Sequence, residues 1–145
     1  MSHAGVLFNQ ENKLRIRKAI KVAESRTSGE IRVFMEDRCR GELFDRAAYV
    51  FSTLKMHETK ERNGVLLYIA LDDRKFAVIG DVGINMVVNE HFWDEIKFEV
   101  ISHFASDDIV TGLEEGIRMA GEALSSYFPH QRDDQNELAD DIVIG

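Results

Sequence analysis

The sequence predicts an α/β protein, a three-layer α/β/α sandwich with helices on both faces of a mixed, Rossmann-like sheet of about four strands. The run Val65 to Leu71 is apolar throughout and rich in Val, Ile and Tyr, which is typical of a strand covered on both faces. A second apolar run, Lys75 to Ile79, follows Asp72-Asp73, so the two runs predict a β-hairpin. The alternation of strand and helix before this hairpin predicts a parallel first pair with a right-handed crossover.

The other elements follow from the spacing of apolar residues. Alternation over Glu30 to Glu36 predicts the first strand. Apolar residues that recur every three or four positions predict four helices. We expect these helices at about Asn9 to Arg26, Leu43 to Met56, Glu90 to Ala105 and Asp108 to Phe128. Asn9 and Asn89 are the expected caps of the first and third helices.

The last stretch, Pro129 to Gly145, combines an acidic loop with an apolar end. A purely solvated tail has no reason to finish on three β-branched residues, so Ile142-Val143-Ile144 predicts a short edge strand. At 145 residues the chain is expected to form a single domain over residues 1–145.

Composition restricts the possible functions. The chain has 18 basic and 26 acidic residues and a net charge of -8, which argues against nucleic acid and against anionic lipid as partners. No apolar run has the length of a membrane span, and the N-terminus lacks the features of a signal peptide. We therefore expect no membrane association and a cytoplasmic location.

Several kinds of site are not predicted. The five histidines and the single cysteine, Cys39, have no zinc-binding spacing. Arg38 and Arg40 flank Cys39 and favour its thiolate, but a loop cysteine without a role is the preferred interpretation. Walker-type, dinucleotide-binding and Gly-x-Ser-x-Gly motifs do not occur in the sequence.

Four short motifs resemble the signature of the TPM domain family. In chain order they are Thr27-Ser28-Gly29-Glu30-Ile31, Asn63-Gly64-Val65-Leu66-Leu67, Asp72-Asp73-Arg74 and Gly80-Asp81-Val82-Gly83-Ile84-Asn85. The resemblance implies an α/β/α sandwich, divalent-cation binding and a proposed weak phosphatase activity in a bacterial protein. Members are often secreted or membrane-anchored, and some work in photosystem repair in the thylakoid lumen. Many members have an Asp where this chain has Arg62.

Connectivity predicts which acidic residues meet. We call the edge where the two parallel strands begin the lower edge of the sheet, and the opposite edge the upper edge. Acids at the upper edge have local roles, because Asp72 and Asp73 form a turn and Asp107 and Asp108 begin a helix. The lower edge is expected to bring together oxygen ligands for one or two Ca²⁺ or Mg²⁺ ions. We expect the acids among these ligands to have no local role in a turn or at the start of a helix, so that a cation relieves their repulsion. These ligands are Glu30, Asp81, Asn85, Asp133, Asp134, Asn136 and Glu137.

Two functions remain open from the sequence. The first is a regulatory or interaction module whose loops order when a divalent cation binds and then contact an unidentified protein partner. The second is a metal-dependent phosphatase or nucleotide phosphohydrolase of low efficiency. Alternatively, the lower acids are solvated, cap helices, or pair with Lys60, Arg62 and Arg132.

Overall fold

The computed structural model describes residues 3–130 and 142–145, which contain six α-helices and four strands. The helices are α1 (His3–Leu7), α2 (Gln10–Glu24), α3 (Leu43–Thr53), α4 (Val82–Asn85), α5 (Phe92–Ser102) and α6 (Ile109–Tyr127). The strands are β1 (Glu30–Glu36), β2 (Gly64–Ala70), β3 (Lys75–Gly80) and β4 (Ile142–Ile144). Among these described residues, no helix is both long and apolar enough to cross a bilayer.

The four strands form one mixed sheet in the order β3-β2-β1-β4. β1 is parallel to β2 and to β4, whereas β3 is antiparallel to β2. In the register, Glu30 lies opposite Gly64, and Val65 lies opposite Gly80, so the lower edge contains the start of β1, the start of β2 and the end of β3. The predicted fold class, hairpin and C-terminal edge strand are therefore confirmed.

Strand β2 is buried along its whole length. Val65, Leu67 and Ile69 point to one face and belong to the larger apolar cluster, which α2, α5 and α6 complete. The residues between them belong to a smaller cluster on the other face, which α3 covers. The prediction that this apolar run forms a strand covered by helices on both faces is therefore confirmed.

The differences from the sequence prediction lie at short helices and helix ends. The short helices α1 and α4 are not predicted from periodicity, because each has too few residues to show an apolar stripe. Helix α3 ends at Thr53, earlier than Met56, and Lys55 then has a positive φ of 58°. Asn9 caps α2 as expected, accepting a hydrogen bond from the Asn12 N–H at 2.9 Å.

The third and fourth predicted helices also begin later than expected. Helix α5 starts at Phe92 rather than Glu90, because the Asn89 side chain accepts from the His91 N–H and forms a turn before the helix. Asp108 occupies the cap position of α6, but its side chain makes no capping hydrogen bond.

A buried ion pair fixes α3 to the sheet at the upper edge. Arg46 of α3 donates from Nε and Nη2 to the two carboxylate oxygens of Glu36, at 2.8 and 2.9 Å. The Tyr68 hydroxyl of β2 donates to the same carboxylate. Burial raises the pKa of Glu36, but the hydrogen bonds from Arg46 and Tyr68 outweigh it and the pKa is lowered. Burial also raises the pKa of Tyr68 far above its usual value, and the contact with Glu36 raises it further.

Replacing Glu36 with Gln should destabilise the protein at neutral pH by about 3 kcal/mol, because Arg46 loses its charged partner in a largely buried place. A lowered carboxyl pKa stabilises the fold above the unfolded-state pKa, and this contribution disappears as the pH falls through the folded-state pKa. Urea unfolding at several pH values should therefore show that the stabilities of the wild type and Glu36→Gln begin to converge as the pH falls below the unfolded-state pKa of about 4.3, and meet below the folded-state pKa. The exposed Arg118–Glu122 pair provides the control, since Glu122→Gln should change stability by less than about 1 kcal/mol. A similar loss in both variants would contradict the assignment.

Candidate functional site at the lower edge of the sheet

Asp81 is the buried carboxylate of the lower edge. It follows the last residue of β3, and its backbone N–H donates to the Gly64 carbonyl at 2.9 Å, which extends the pairing with β2. Its side chain is 6% exposed and accepts from the Val82 N–H at 2.8 Å, so Asp81 caps the short helix α4. The predicted absence of a local role for Asp81 is therefore wrong.

A guanidinium neutralises this carboxylate. Arg62 donates from Nε to one oxygen of Asp81 at 2.6 Å and from Nη2 to the other at 2.9 Å. The hydrogen bond to Asp81 raises the pKa of Arg62. The side chain of Arg62 is 46% exposed, so one member of the pair faces solvent and the other does not.

The loop that carries Arg62 is shaped to reach Asp81. Arg62 has a φ of 53°, in the left-handed region that non-glycine residues rarely adopt. Its carbonyl accepts from the Gly83 N–H at 2.8 Å, which links this conformation to the start of α4. A Cβ on Gly83 would overlap the carbonyl oxygen of Glu61, and one on Gly80 would overlap the Trp93 ring. Both glycines of the motif are thus needed for close packing, and neither has a positive φ.

Glu30 is paired inside the protein. Its carboxylate accepts from Nη2 of Arg32 at 2.9 Å, and Nη1 of Arg32 donates to Glu24 at 3.0 Å. The Glu24 carboxylate also accepts from the Ile31 N–H at 2.7 Å, and so joins the end of α2 to the start of β1. Arg32 is 1% exposed, so Glu30 has a structural partner in addition to any ligand role.

Asn85 connects the end of β3 with α5. Its amide donates to the Gly80 carbonyl at 2.7 Å, and its oxygen accepts from the Trp93 indole N–H at 2.9 Å. The nitrogen and the oxygen of this amide thus link the end of β3 to helix α5. It lies one turn of helix after Asp81.

A series of polar contacts runs from Arg62 to the end of α6. Asn63, next to Arg62, donates from Nδ2 to the Ser28 hydroxyl at 3.1 Å. The Ser28 N–H donates to the Phe128 carbonyl at 3.0 Å, and Thr27 forms a β-bridge with Pro129. The chain that leaves α6 therefore starts at the lower edge, as predicted. It re-enters the sheet at Ile142, opposite Val33.

The structure thus places three of the seven predicted ligands, Glu30, Asp81 and Asn85, at the lower edge. The other four, Asp133, Asp134, Asn136 and Glu137, lie outside the described residues. Within 3–130 and 142–145, no three His, Cys, Asp or Glu side chains form a group that could hold a metal ion. The ligand assignment therefore stays a prediction, and so does the expected approach of the two loops.

A cleft of about 330 Å³ opens beside the Asp81–Arg62 pair. Phe51 of α3 and Ile79 of β3 supply apolar lining, and His57, Asp81 and Asn85 supply polar groups. The cleft gives solvent access to the pair, which is consistent with the half-exposed guanidinium of Arg62.

Two acids of the upper edge accept hydrogen bonds from backbone N–H groups. Residues 71–74 form the turn of the hairpin, as predicted, and the Asp73 carboxylate accepts from the Cys39 N–H at 2.7 Å. Asp37 accepts from the Ala4 N–H at 2.7 Å, which fixes α1 to the sheet. The sequence did not predict the Glu36–Arg46–Tyr68 cluster, although Tyr at an inward position of a buried strand signals a nearby polar partner.

Gly83→Ala should lower the free energy of unfolding by about 1–3 kcal/mol or more, because the obstacle to its Cβ is main chain that cannot rotate away. Gly29→Ala is the control, since its Cβ meets only the tip of the Leu124 side chain and should cost less. Chemical denaturation of both variants measures the difference. A smaller loss for Gly83→Ala than for Gly29→Ala would show that the Glu61–Arg62 loop is not held as described.

Comparison with solved structures shows similarity to a protein from a psychrophilic bacterium. The NMR structure of BA42 protein from Bizionia argentinensis matches with a TM-score of 0.87 and 44% identity, over 94% of each chain. The comparison of curated protein sequences gave no match.

Two more distant structures share the fold. The N-terminal domain of a P. gingivalis protein matches with a TM-score of 0.70 and 20% identity, over 90% of this chain and 85% of that one. The N-terminal domain of cg2496 protein from Corynebacterium glutamicum matches with a TM-score of 0.66 and 11% identity, over 90% of this chain and 81% of that one.

The family comparison covers most of the chain. The model described as TPM domain matches residues 2–123, which include all four motifs, the Asp81–Arg62 pair and the whole of β1, β2 and β3. The chain therefore belongs to the TPM domain family.

Proposed function

We propose that the chain is a divalent-cation-binding module of the TPM type, with Ca²⁺ or Mg²⁺ bound at the lower edge through Asp81. The observation that carries the proposal is the state of this carboxylate, which is 6% exposed and already has a cation on both oxygens. A buried carboxylate requires a positive partner. Arg62 supplies one, and it is exposed enough to turn into solvent when a metal ion replaces it.

The remaining ligands come from the acidic segment after α6. That segment begins beside Thr27, and the polar contacts through Ser28 and Asn63 connect this point with Arg62. It contains Asp133, Asp134, Asn136 and Glu137, whose oxygens are the ligands that Ca²⁺ and Mg²⁺ prefer. Metal binding by both segments would join the loop after β3 to the loop after α6, and the ordered surface would then contact a protein partner.

The proposal predicts metal-linked stability. An ion that binds only the folded state, at a hundred times its dissociation constant, adds about 2.7 kcal/mol to the free energy of unfolding. For a domain of this size, we expect the melting temperature of chelator-treated protein to rise by roughly 5–10 °C in Ca²⁺ or Mg²⁺. Thermal unfolding followed by circular dichroism measures the shift. Identical melting curves in millimolar Ca²⁺, millimolar Mg²⁺ and chelator would exclude the proposed function.

Variants at the lower edge should change the affinity in opposite directions. Asp81→Asn and Asp134→Asn each remove a ligand charge and should weaken binding by at least about tenfold, whereas Asp72→Asn at the upper edge should barely change it. Arg62→Gln should strengthen binding, because the ion no longer competes with a tethered guanidinium. Isothermal titration with Ca²⁺ measures all four.

Arg118→Gln is the matched control for Arg62→Gln, since it removes a guanidinium that also pairs with carboxylates but lies on α6. It should leave the Ca²⁺ affinity unchanged. Unchanged Ca²⁺ affinity in Arg62→Gln, or a larger loss of affinity in Asp72→Asn than in Asp81→Asn, would show that the ion does not bind at Asp81.

The alternative of a metal-dependent phosphatase is a prediction from the sequence that no contact described above favours. A phosphate-release assay with and without Mg²⁺ tests it, with Asp81→Asn as the control. Turnover that depends on Mg²⁺ and disappears in Asp81→Asn would favour an enzyme over a binding module.

A further inference from the structure

A second cleft lies between α2 and α6, and it shares no lining residue with the cleft beside Asp81. Its volume is about 590 Å³, within the range of about 300–1,000 Å³ that is common for small-molecule sites. Ala19, Val22, Ala23 and Gly121 form an apolar floor. Val22 is 59% exposed, so this apolar surface is open to a ligand.

The rim of this cleft carries more positive than negative charge. Four cationic side chains line it, together with Glu114 and Glu122; the cations are Arg15, Lys18, Arg26 and Arg118. Arg15 pairs with Glu114, and Arg118 pairs with Glu122 at 2.6 Å. In the part of the chain that the structure describes, the side chains of Lys18 and Arg26 make no ion pair or hydrogen bond. Two cations therefore remain available to an anion.

The charge of α2 contrasts with that of the chain as a whole. The helix carries more basic than acidic residues, with Glu11 and Glu24 as its acids, although the net charge of the protein is -8. Its basic residues are Lys13, Arg15, Arg17, Lys18 and Lys21. A basic wall beside a low-dielectric floor raises the local concentration of anions. Two of these basic residues, Arg15 and Lys18, line the cleft, so its α2 side attracts a negative ligand although the net charge of the protein is -8.

The cleft is preformed. A Cβ on Gly121 would come within 2.6 Å of the Ala23 Cβ, so the two helices already touch along the floor and cannot close further. The Arg15–Glu114 pair joins the same two helices at the other end of the cleft. A ligand therefore meets walls that need little rearrangement, which favours binding.

We propose that this cleft binds a small organic anion with an apolar body and a carboxylate head. The body covers Val22 and Ala19, and the head is bound by Lys18 of α2 or by Arg26, which lies two residues beyond the end of this helix.

Octanoate is a suitable probe, with octyl glucoside as a neutral compound of the same chain length. Each is titrated below its micelle-forming concentration into the full-length ¹⁵N-labelled protein, and amide shifts are followed by NMR. We expect saturable shifts in residues 15–26 and 114–125, and an affinity for octyl glucoside at least about tenfold lower, since it cannot form charge-assisted hydrogen bonds.

Variants separate the contributions of charge and apolar surface. Lys18→Gln combined with Arg26→Gln should lower the octanoate affinity by about tenfold or more. Val22→Gln should also lower it, and since Val22 is mostly exposed the fold should be retained. Lys21→Gln is the matched control, because Lys21 is a basic residue of the same helix that does not line the cleft. The octanoate affinity of this variant should stay within about twofold of that of the wild type.

Several results would overturn the proposal. They are the absence of saturable octanoate shifts, shifts centred outside the two helices, equal affinity for octyl glucoside, and an equal loss in Lys21→Gln. Saturable binding of an acidic amphipathic peptide at the same residues, with no binding of octanoate, would assign the cleft to a protein partner instead.

Discussion

Strand β2 is hydrogen-bonded to a strand along each edge and covered by helices on each face, and the positions of the other elements follow from this. Its backbone groups are far from water, so each must be bonded, and β1 and β3 provide these bonds on either side. Its side chains alternate between two apolar clusters, so helices are required on both faces. The hairpin and the crossover through α3 then determine which loops reach the lower edge. Asp81, Arg62 and the start of the acidic segment are neighbours because of this topology.

Among the residues that the structure describes, each buried carboxylate has a guanidinium as its counter-ion. Arg46 neutralises Glu36, Arg32 contacts Glu24 and Glu30, and Arg62 neutralises Asp81. Desolvation makes an unpaired buried charge costly. Arg46 and Arg62 each bind both oxygens of one carboxylate, whereas Arg32 bridges two carboxylates.

The three guanidinium groups differ in exposure, and this difference matters for function. Arg32 is 1% exposed and Arg46 is 17% exposed, whereas Arg62 is 46% exposed. The first two are largely buried with their carboxylate partners. The half-exposed guanidinium of Arg62 is the feature on which we base the proposal that a metal ion binds at Asp81.

The sequence predicted the features that depend on periodic burial. The buried run at β2, the alternation in β1 and the stripes of the long helices all correspond to observed elements, and topology alone placed Glu30, Asp81 and Asn85 at one edge. The Asp81–Arg62 geometry depends on a positive φ at Arg62 and on the close approach of Gly83 to the Glu61 carbonyl. Neither leaves a periodic signal. The alternative in which the lower acids cap helices and pair with basic residues such as Arg62 is confirmed for Asp81, but the sequence did not indicate the geometry of this pair.

The cleft between α2 and α6 was missed for a different reason. Its residues repeat at helical spacing, and such a pattern is typical of an ordinary packed and solvated helix face. Only the structure shows that small residues at Ala23 and Gly121 bring the helices together below an open groove. Glu114 pairs with Arg15 and Glu122 pairs with Arg118, so neither glutamate neutralises Lys18 or Arg26.

The most direct test of a cation at the lower edge is a Ca²⁺ titration of the ¹⁵N-labelled protein followed amide by amide. The account predicts saturable shifts in three segments, residues 26–30, 80–89 and 131–141, with an additional shift of the Arg62 Nε–H signal as the guanidinium leaves Asp81. It would be contradicted by shifts centred on Asp72, Asp73 and Asp107 at the upper edge. A spectrum that does not change with saturating Ca²⁺ or Mg²⁺ would contradict it completely.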